Sequence, residues 1–240
     1  PVLSDHLQKG DKKRAWELAT SLLNLLAIFM GVVGIIILLF ANPLLNIVAP
    51  GLTTEQEHTA ATIMRLIAFN PLLFTLSGII TAIQQTIGRF FFFAIAPFFY
   101  NGAIIISAVI FSTAGGNDGG PGGLGLVGLG IGALIGAVLQ LLVVFFGMQG
   151  TSFKWRPKID LTKDFKLVLN RLPARSIDQG IDSINSIVET RFASKLGTGN
   201  ISYYENAYTL HTVPIQLVGT TVATAAFPRL TERLSSGRTD

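Results

Sequence analysis

Arg175, Asp178, Asp182, Asn185 and Glu189 follow one another at intervals of three, four, three and four residues within "RLPARSIDQGIDSINSIVETRF" (171–192). At 3.6 residues per turn this spacing sets all five on one stripe of an α-helix. Ile177, Ile181, Ile184 and Val188 make an opposing apolar stripe. A guanidinium, carboxylates and an amide on one face can pair ions, relay protons or keep a cavity wet. They do not form a recognisable catalytic set. The chain has no cysteine, which excludes disulfides, a thiol nucleophile and a zinc–thiolate site. His6, His58 and His211 are isolated from one another, and no Ser/His/Asp or His/Glu grouping has a convincing spacing. No enzyme is expected.

The elements that must hold this stripe follow from composition. Of 240 residues, 50% are hydrophobic and only 13% charged, about half the charge of an ordinary soluble domain. This is the composition of a helical membrane protein. Long apolar runs occupy 18–41, 60–83, 90–111 and 124–148, each able to cross about 30 Å of hydrocarbon. A fifth, 205–227, is polar in its first half. The chain starts at Pro1 without a basic n-region or cleavage site. A piece of a longer protein, with no signal peptide in view, is therefore expected.

The net charge of +4 would suit nucleic acid, but its distribution argues for topology instead. Lys9, Lys12, Lys13 and Arg14 precede the first run, Arg89 lies between the second and third, and a basic segment (154–171) follows the fourth. The loop at 42–59 has no Lys or Arg, and the Gly-rich loop after 111 carries only Asp118. Basic loops face the cytoplasm. The basic tail (Arg229, Arg233, Arg238) returns inside only if 172–192 also crosses, with "GTGN" (197–200) as an external turn. The fold expected is an all-α polytopic membrane protein with six transmembrane helices in this chain. The polar stripe then has to face other helices or a water-filled cavity, because a charge facing lipid costs several kcal/mol or more.

Plainer readings stand beside this one. The 171–192 helix fits a surface amphipathic helix too, and Arg175 with Asp178 fits a purely structural ion pair. Arg65, near the outer end of the second run, fits either a snorkelling interfacial residue or a cavity residue. Gly128, Gly132 and Gly136 follow a small-xxx-small pattern that points to close helix packing. Pro71, Pro97 and Pro214 each interrupt a run, as prolines do in broken transporter helices.

Several stretches resemble the MurJ/MviN lipid II flippase family, within the wider superfamily of multidrug and oligosaccharidyl-lipid exporters. They are "RFFFFAIAPFFYNGAIII" (89–106), "VETRFASKLGTGNISYYENAYTLHTVPIQLVGTTVATAAFPRL" (188–230), "NIVAPGL" (46–52) followed by Arg65 and Pro71, and "PVLSD" at the start. They fall in the family's order and cover nearly the whole chain.

The resemblance implies a two-lobe, fourteen-helix flippase, of which this chain holds helices three to eight. Residues 1–150 would be four helices of the amino-terminal lobe, 151–170 the basic cytoplasmic inter-lobe linker, and 171–240 the first two helices of the carboxy-terminal lobe. It implies lipid II or a related polyprenyl-diphosphate lipid as cargo, the bacterial inner membrane as location, and the remaining helices of the full-length protein as partners. Nucleic acid is not a partner. Arg175, Asp178, Asp182, Asn185 and Arg65 become candidate substrate or cavity residues. The family's arginine five residues before the helix-eight proline falls here on Thr209. Glu189 takes the acidic position that in some members joins a sodium site, so a sodium ion is the one cofactor implied. Another exporter of the superfamily, or a membrane scaffold for cell-wall machinery, remain alternatives.

Overall fold

In a bilayer core the backbone finds no hydrogen-bond partner but itself, so charge-free apolar runs become helices. The computed structural model of this chain describes residues 6, 10–112, 124–151, 153, 155–160, 162–197 and 199–220. The side chains of residues 112, 163, 171, 172, 174, 175, 178, 179 and 220 lie outside that description. The described residues form helices α1 (Lys12–Leu39), α2 (Ala41–Val48), α3 (Thr54–Leu66), α4 (Asn70–Thr86), α5 (Phe91–Ser112), α6 (Val127–Phe146), α7 (Lys163–Lys195) and α8 (Asn200–Pro214). A π-helical segment, Ile215–Thr220, follows α8.

Local chemistry sets the ends. Asp11 caps α1 by accepting from the Arg14 N–H at 3.2 Å. The apolar run continues past Leu39, yet the helix restarts at Ala41 because Pro43 has no N–H to give the Leu39 carbonyl. Thr53 and Gln56 form a capping box at the start of α3. The second apolar run breaks at residues 67–69, and Pro71 then sits in the first turn of α4, where its missing N–H costs nothing. Pro97 differs from expectation: α5 passes through it unbroken. Pro214 closes α8 ahead of the π-helical segment.

The chain divides into two compact units. One comprises residues up to Ile47 with Thr53–Asn185, and the other Val48–Leu52 with residues from Ser186 onward, so the division falls inside α7. In the first unit α6 lies along α5, and α4 packs on both α1 and α6. The expected small-residue stripe makes the α5–α6 contact possible. A Cβ on Gly136 would stand 2.8 Å from the Tyr100 carbonyl oxygen, and Cβ atoms on Gly128 and Gly132 would collide with Phe111 and Ser107. Ala19, Leu23, Ile80, Ile83, Ala96, Val144 and Met148 form the buried core. Arg89 donates to the carbonyls of Gly147 (3.0 Å) and Gln149 (2.5 Å), joining two loops that the charge pattern assigns to the same side.

Large apolar side chains such as Phe29, Leu39, Phe98, Ile105 and Phe145 point outward, as a lipid-facing surface requires. Lys12–Leu39, Thr54–Thr86, Phe91–Phe111 and Val127–Phe146 are long and apolar enough to cross a membrane. The two further spans expected from loop charge do not reach that apolarity among the described residues. α7 is charged along its length, and the 205–227 run is described only as far as 220.

In the second unit, α7 ends at Lys195 and α8 begins at Asn200. Gly197 (φ 111°) and Gly199 (φ 91°) take the left-handed conformation that glycine adopts without strain. Asn200 ties the turn by donating to the Leu196 carbonyl at 3.0 Å. Gly51 lies so close to the Ser194 backbone that a side chain there would overlap it.

Candidate functional site

α7 is helical without interruption from Lys163 to Lys195, so Arg175, Asp178, Asp182, Asn185 and Glu189 do share one stripe. Thr162 starts the helix by accepting from the Phe165 N–H at 3.2 Å. At 100° per residue the apolar stripe of Ile177, Ile181, Ile184 and Val188 lies roughly a third of a turn from the polar one, not opposite it. Polar and apolar lines together therefore claim about half of the helix surface.

Burial does not separate the two stripes. Phe165 near the start of α7 and Ala193 and Ser194 near its end are buried, while Asp182, Asn185 and the isoleucines between them are exposed. Ile177, Ile181 and Ile184 are each more than 60% exposed, although they are as apolar as any core residue. The side chains of Arg175 and Asp178 lie outside the described residues.

Glu189 is the stripe residue with a defined partner. It is half-buried, and the Tyr204 hydroxyl of α8 donates to its Oε2. Tyr204 in turn stacks on Tyr208, with ring centroids 6.1 Å apart. Thr209 is exposed and spends its hydroxyl on the Glu205 carbonyl one turn back, at 2.8 Å. Arg65 lies apart from the stripe residues in sequence and in setting. From the last turn of α3 its Nη2 donates to Asn42 Oδ1 at 3.1 Å, just beyond the end of α1.

Glu189 is the residue here that the resemblance assigns to a sodium site. It is a single carboxylate already accepting from a hydroxyl, and among the described residues no three His, Cys, Asp or Glu side chains gather. Hard alkali ions need several oxygen ligands at once.

Sequence reasoning missed Tyr204, because its meeting with Glu189 depends on the turn between α7 and α8. It also missed Asn24 and Ser21, which fasten the segment after α6 to α1. Asn24 Nδ2 donates to the carbonyls of Arg156 (2.7 Å) and Lys158 (2.9 Å), and Ser21 Oγ accepts from the Asp160 N–H at 3.0 Å. Two polar residues inside "SLLNLLA" were the available signal.

Membrane-length helices clad in exposed apolar side chains, packed through glycine and followed by a helix with a polar stripe, define a multi-pass helical membrane protein. The family model for lipid II flippase MurJ matches residues 1–240, and the chain belongs to that family. Among curated relatives, proteins named "Probable lipid II flippase MurJ" are similar to it. The one from Borreliella burgdorferi is 24% identical over 95% of this chain and 44% of its own length. That from Haemophilus influenzae is 26% identical over 96% and 46%. That from Rhizobium tropici is 29% identical over 84% and 38%. The chain thus spans less than half the length of these relatives.

Proposed function

We propose that this chain is the part of a lipid II flippase that supplies helices three to eight. The whole protein moves the polyprenyl-diphosphate-linked precursor outward across the bacterial inner membrane by alternating access, driven by an ion gradient or the membrane potential. The observation that carries this reading is the family match over all 240 residues. Lipid II has a head too polar to cross hydrocarbon unaided, so the task is transport, with no bond made or broken.

In this reading α7 crosses the membrane with its polar stripe on the cavity side. Loop charge supports the crossing, since it returns the basic tail to the side of the other basic loops. At 1.5 Å per residue a helix of 33 residues is long enough to span the bilayer. Residues 1–150 and 171–240 then belong to the two lobes, joined by the basic segment 151–170.

Arg175 is the stripe's cation, and a guanidinium fork matches the oxygens of a diphosphate. It takes over the part of the family's helix-eight arginine, for which Thr209 offers a hydroxyl already turned to its own backbone. Asp178 and Asp182 sit beside it in register, where they can pair with the guanidinium and repel a phosphate that has been released.

The test is rescue of a strain depleted of its lipid II flippase by the full-length gene, with Arg175→Ala and Arg175→Lys alongside. Rescue by the wild type and loss with Arg175→Ala at equal membrane abundance is the expected result. A well-expressed wild type that does not rescue would overturn the reading. Intact rescue by Arg175→Ala would remove that residue from it.

A further inference from the structure

The first turns of α1 and the segment after α6 enclose a cavity of about 270 Å³. Helix α1 contributes Lys13, Trp16, Glu17 and Thr20, and the segment contributes Arg156, Lys158 and Asp160. The walls are built, not accidental. Asn24 holds the backbone on either side of Pro157 through the Arg156 and Lys158 carbonyls. Asn24 Oδ1 also accepts from the Trp155 indole at 2.9 Å, Ser21 holds Asp160, and Trp16 packs edge-on to Phe153 at 5.4 Å.

Charge is uneven within this cavity. Lys158 pairs with Asp160 at 2.7 Å, and that hydrogen bond keeps the lysine protonated beyond its usual range while the nearby Arg156 charge works against it. Asp160 is thus committed. Among the described residues neither Lys13 nor Arg156 has an ion-pair partner. Two exposed cations facing one remaining carboxylate, Glu17, leave the cavity lining net positive and open to an anion.

Depth and size say which one. An indole and a run of basic residues at the start of a membrane-length helix mark the headgroup level of the leaflet that the basic loops face. The volume falls just short of the roughly 300–1,000 Å³ of pockets for drug-sized ligands, so it suits a phosphate and not a disaccharide-peptide head. We propose that this cavity binds the phosphate of an anionic lipid in that leaflet, gripped by Lys13 and Arg156. The site is independent of the transported cargo.

Both tryptophans among these 240 residues, Trp16 and Trp155, lie at this cavity or on its wall, so with any tryptophan outside them replaced by phenylalanine the emission reports on it. The protein is reconstituted in phosphatidylcholine nanodiscs with rising phosphatidylglycerol. A saturable emission change is expected in the wild type and in Lys12→Ala. The Lys13→Ala/Arg156→Ala variant needs roughly tenfold more anionic lipid, the effect of losing one charge-assisted contact or more. Glu17→Gln, which removes the opposing carboxylate and needs no cavity wall rebuilt, shifts the curve to lower phosphatidylglycerol. An equal loss in Lys12→Ala would mean general surface attraction and overturn the proposal. So would no shift in Glu17→Gln, or the same emission change from inorganic phosphate in pure phosphatidylcholine.

Discussion

The Tyr204 hydroxyl donates to the Glu189 carboxylate, tying the first turns of α8 to the last turns of α7 across the glycine turn at 197–199. Fifteen residues separate the two in sequence, so the bond exists only when the hairpin is closed. Tyr204→Phe and Glu189→Gln should each lower the melting temperature of the purified protein. The double variant should lie no lower than the worse single one, because residues sharing one interaction are non-additive. Fully additive losses would show that the two side chains act separately.

Helix α6 rests on α5 through glycines that have no room for anything larger. Gly136→Val puts methyl groups against the Tyr100 backbone, and overpacking of this kind costs about 1–3 kcal/mol. Gly78 of α4 is the control, since nothing lies within 4 Å of a Cβ there. Gly78→Ala should be neutral or stabilising by up to about 1 kcal/mol, the gain in helix propensity. Melting of both variants in detergent separates a packing glycine from an idle one.

What was legible in the sequence was local in origin. The stripe on α7 needs only helical periodicity, and the break before Pro71 needs only a missing N–H. The Gly128, Gly132, Gly136 series reads directly as a packing face. Relations across the chain were not legible in the same way. Nothing in the run 18–41 marks the end of α1 at Leu39; that end depends on Pro43, beyond the run. Gln84 is fully buried with its amide donating to the Val144 carbonyl at 2.5 Å, yet in sequence it is one of two glutamines beside an inner loop. The offset of about a third of a turn between the two stripes of α7 was within reach of simple angular arithmetic, and treating them as opposed missed how wide the claimed surface is.

Arg65 illustrates how a partner can separate two readings of one charge. Its bond to Asn42 places the guanidinium beside the residue that follows α1, where a span ends, and the side chain is exposed. This favours an interfacial role, so Arg65→Gln should still rescue a flippase-depleted strain close to the wild-type level. Arg65→Leu, which strands Asn42 and removes the interfacial anchor, should lower protein abundance in the membrane. Loss of rescue by Arg65→Gln at normal abundance would return the residue to the cavity.

The crossing of α7 can be decided by cysteine labelling, since these 240 residues contain no cysteine and any outside them can be replaced by serine. Loop charge places Gln149, after α6, on the cytoplasmic side and Leu196, at the end of α7, outside. Both positions are exposed, Leu196 at 76%. Introduced singly as Gln149→Cys and Leu196→Cys, they should label oppositely with a membrane-impermeant thiol reagent. Leu196→Cys should react in intact cells, and Gln149→Cys only after the membrane is opened. Labelling of both from the same side would mean that α7 returns without crossing. Its carboxylates would then lie at the surface, where water and salt screen them, and the proposal that Arg175 meets a phosphate inside a cavity would fail with the crossing.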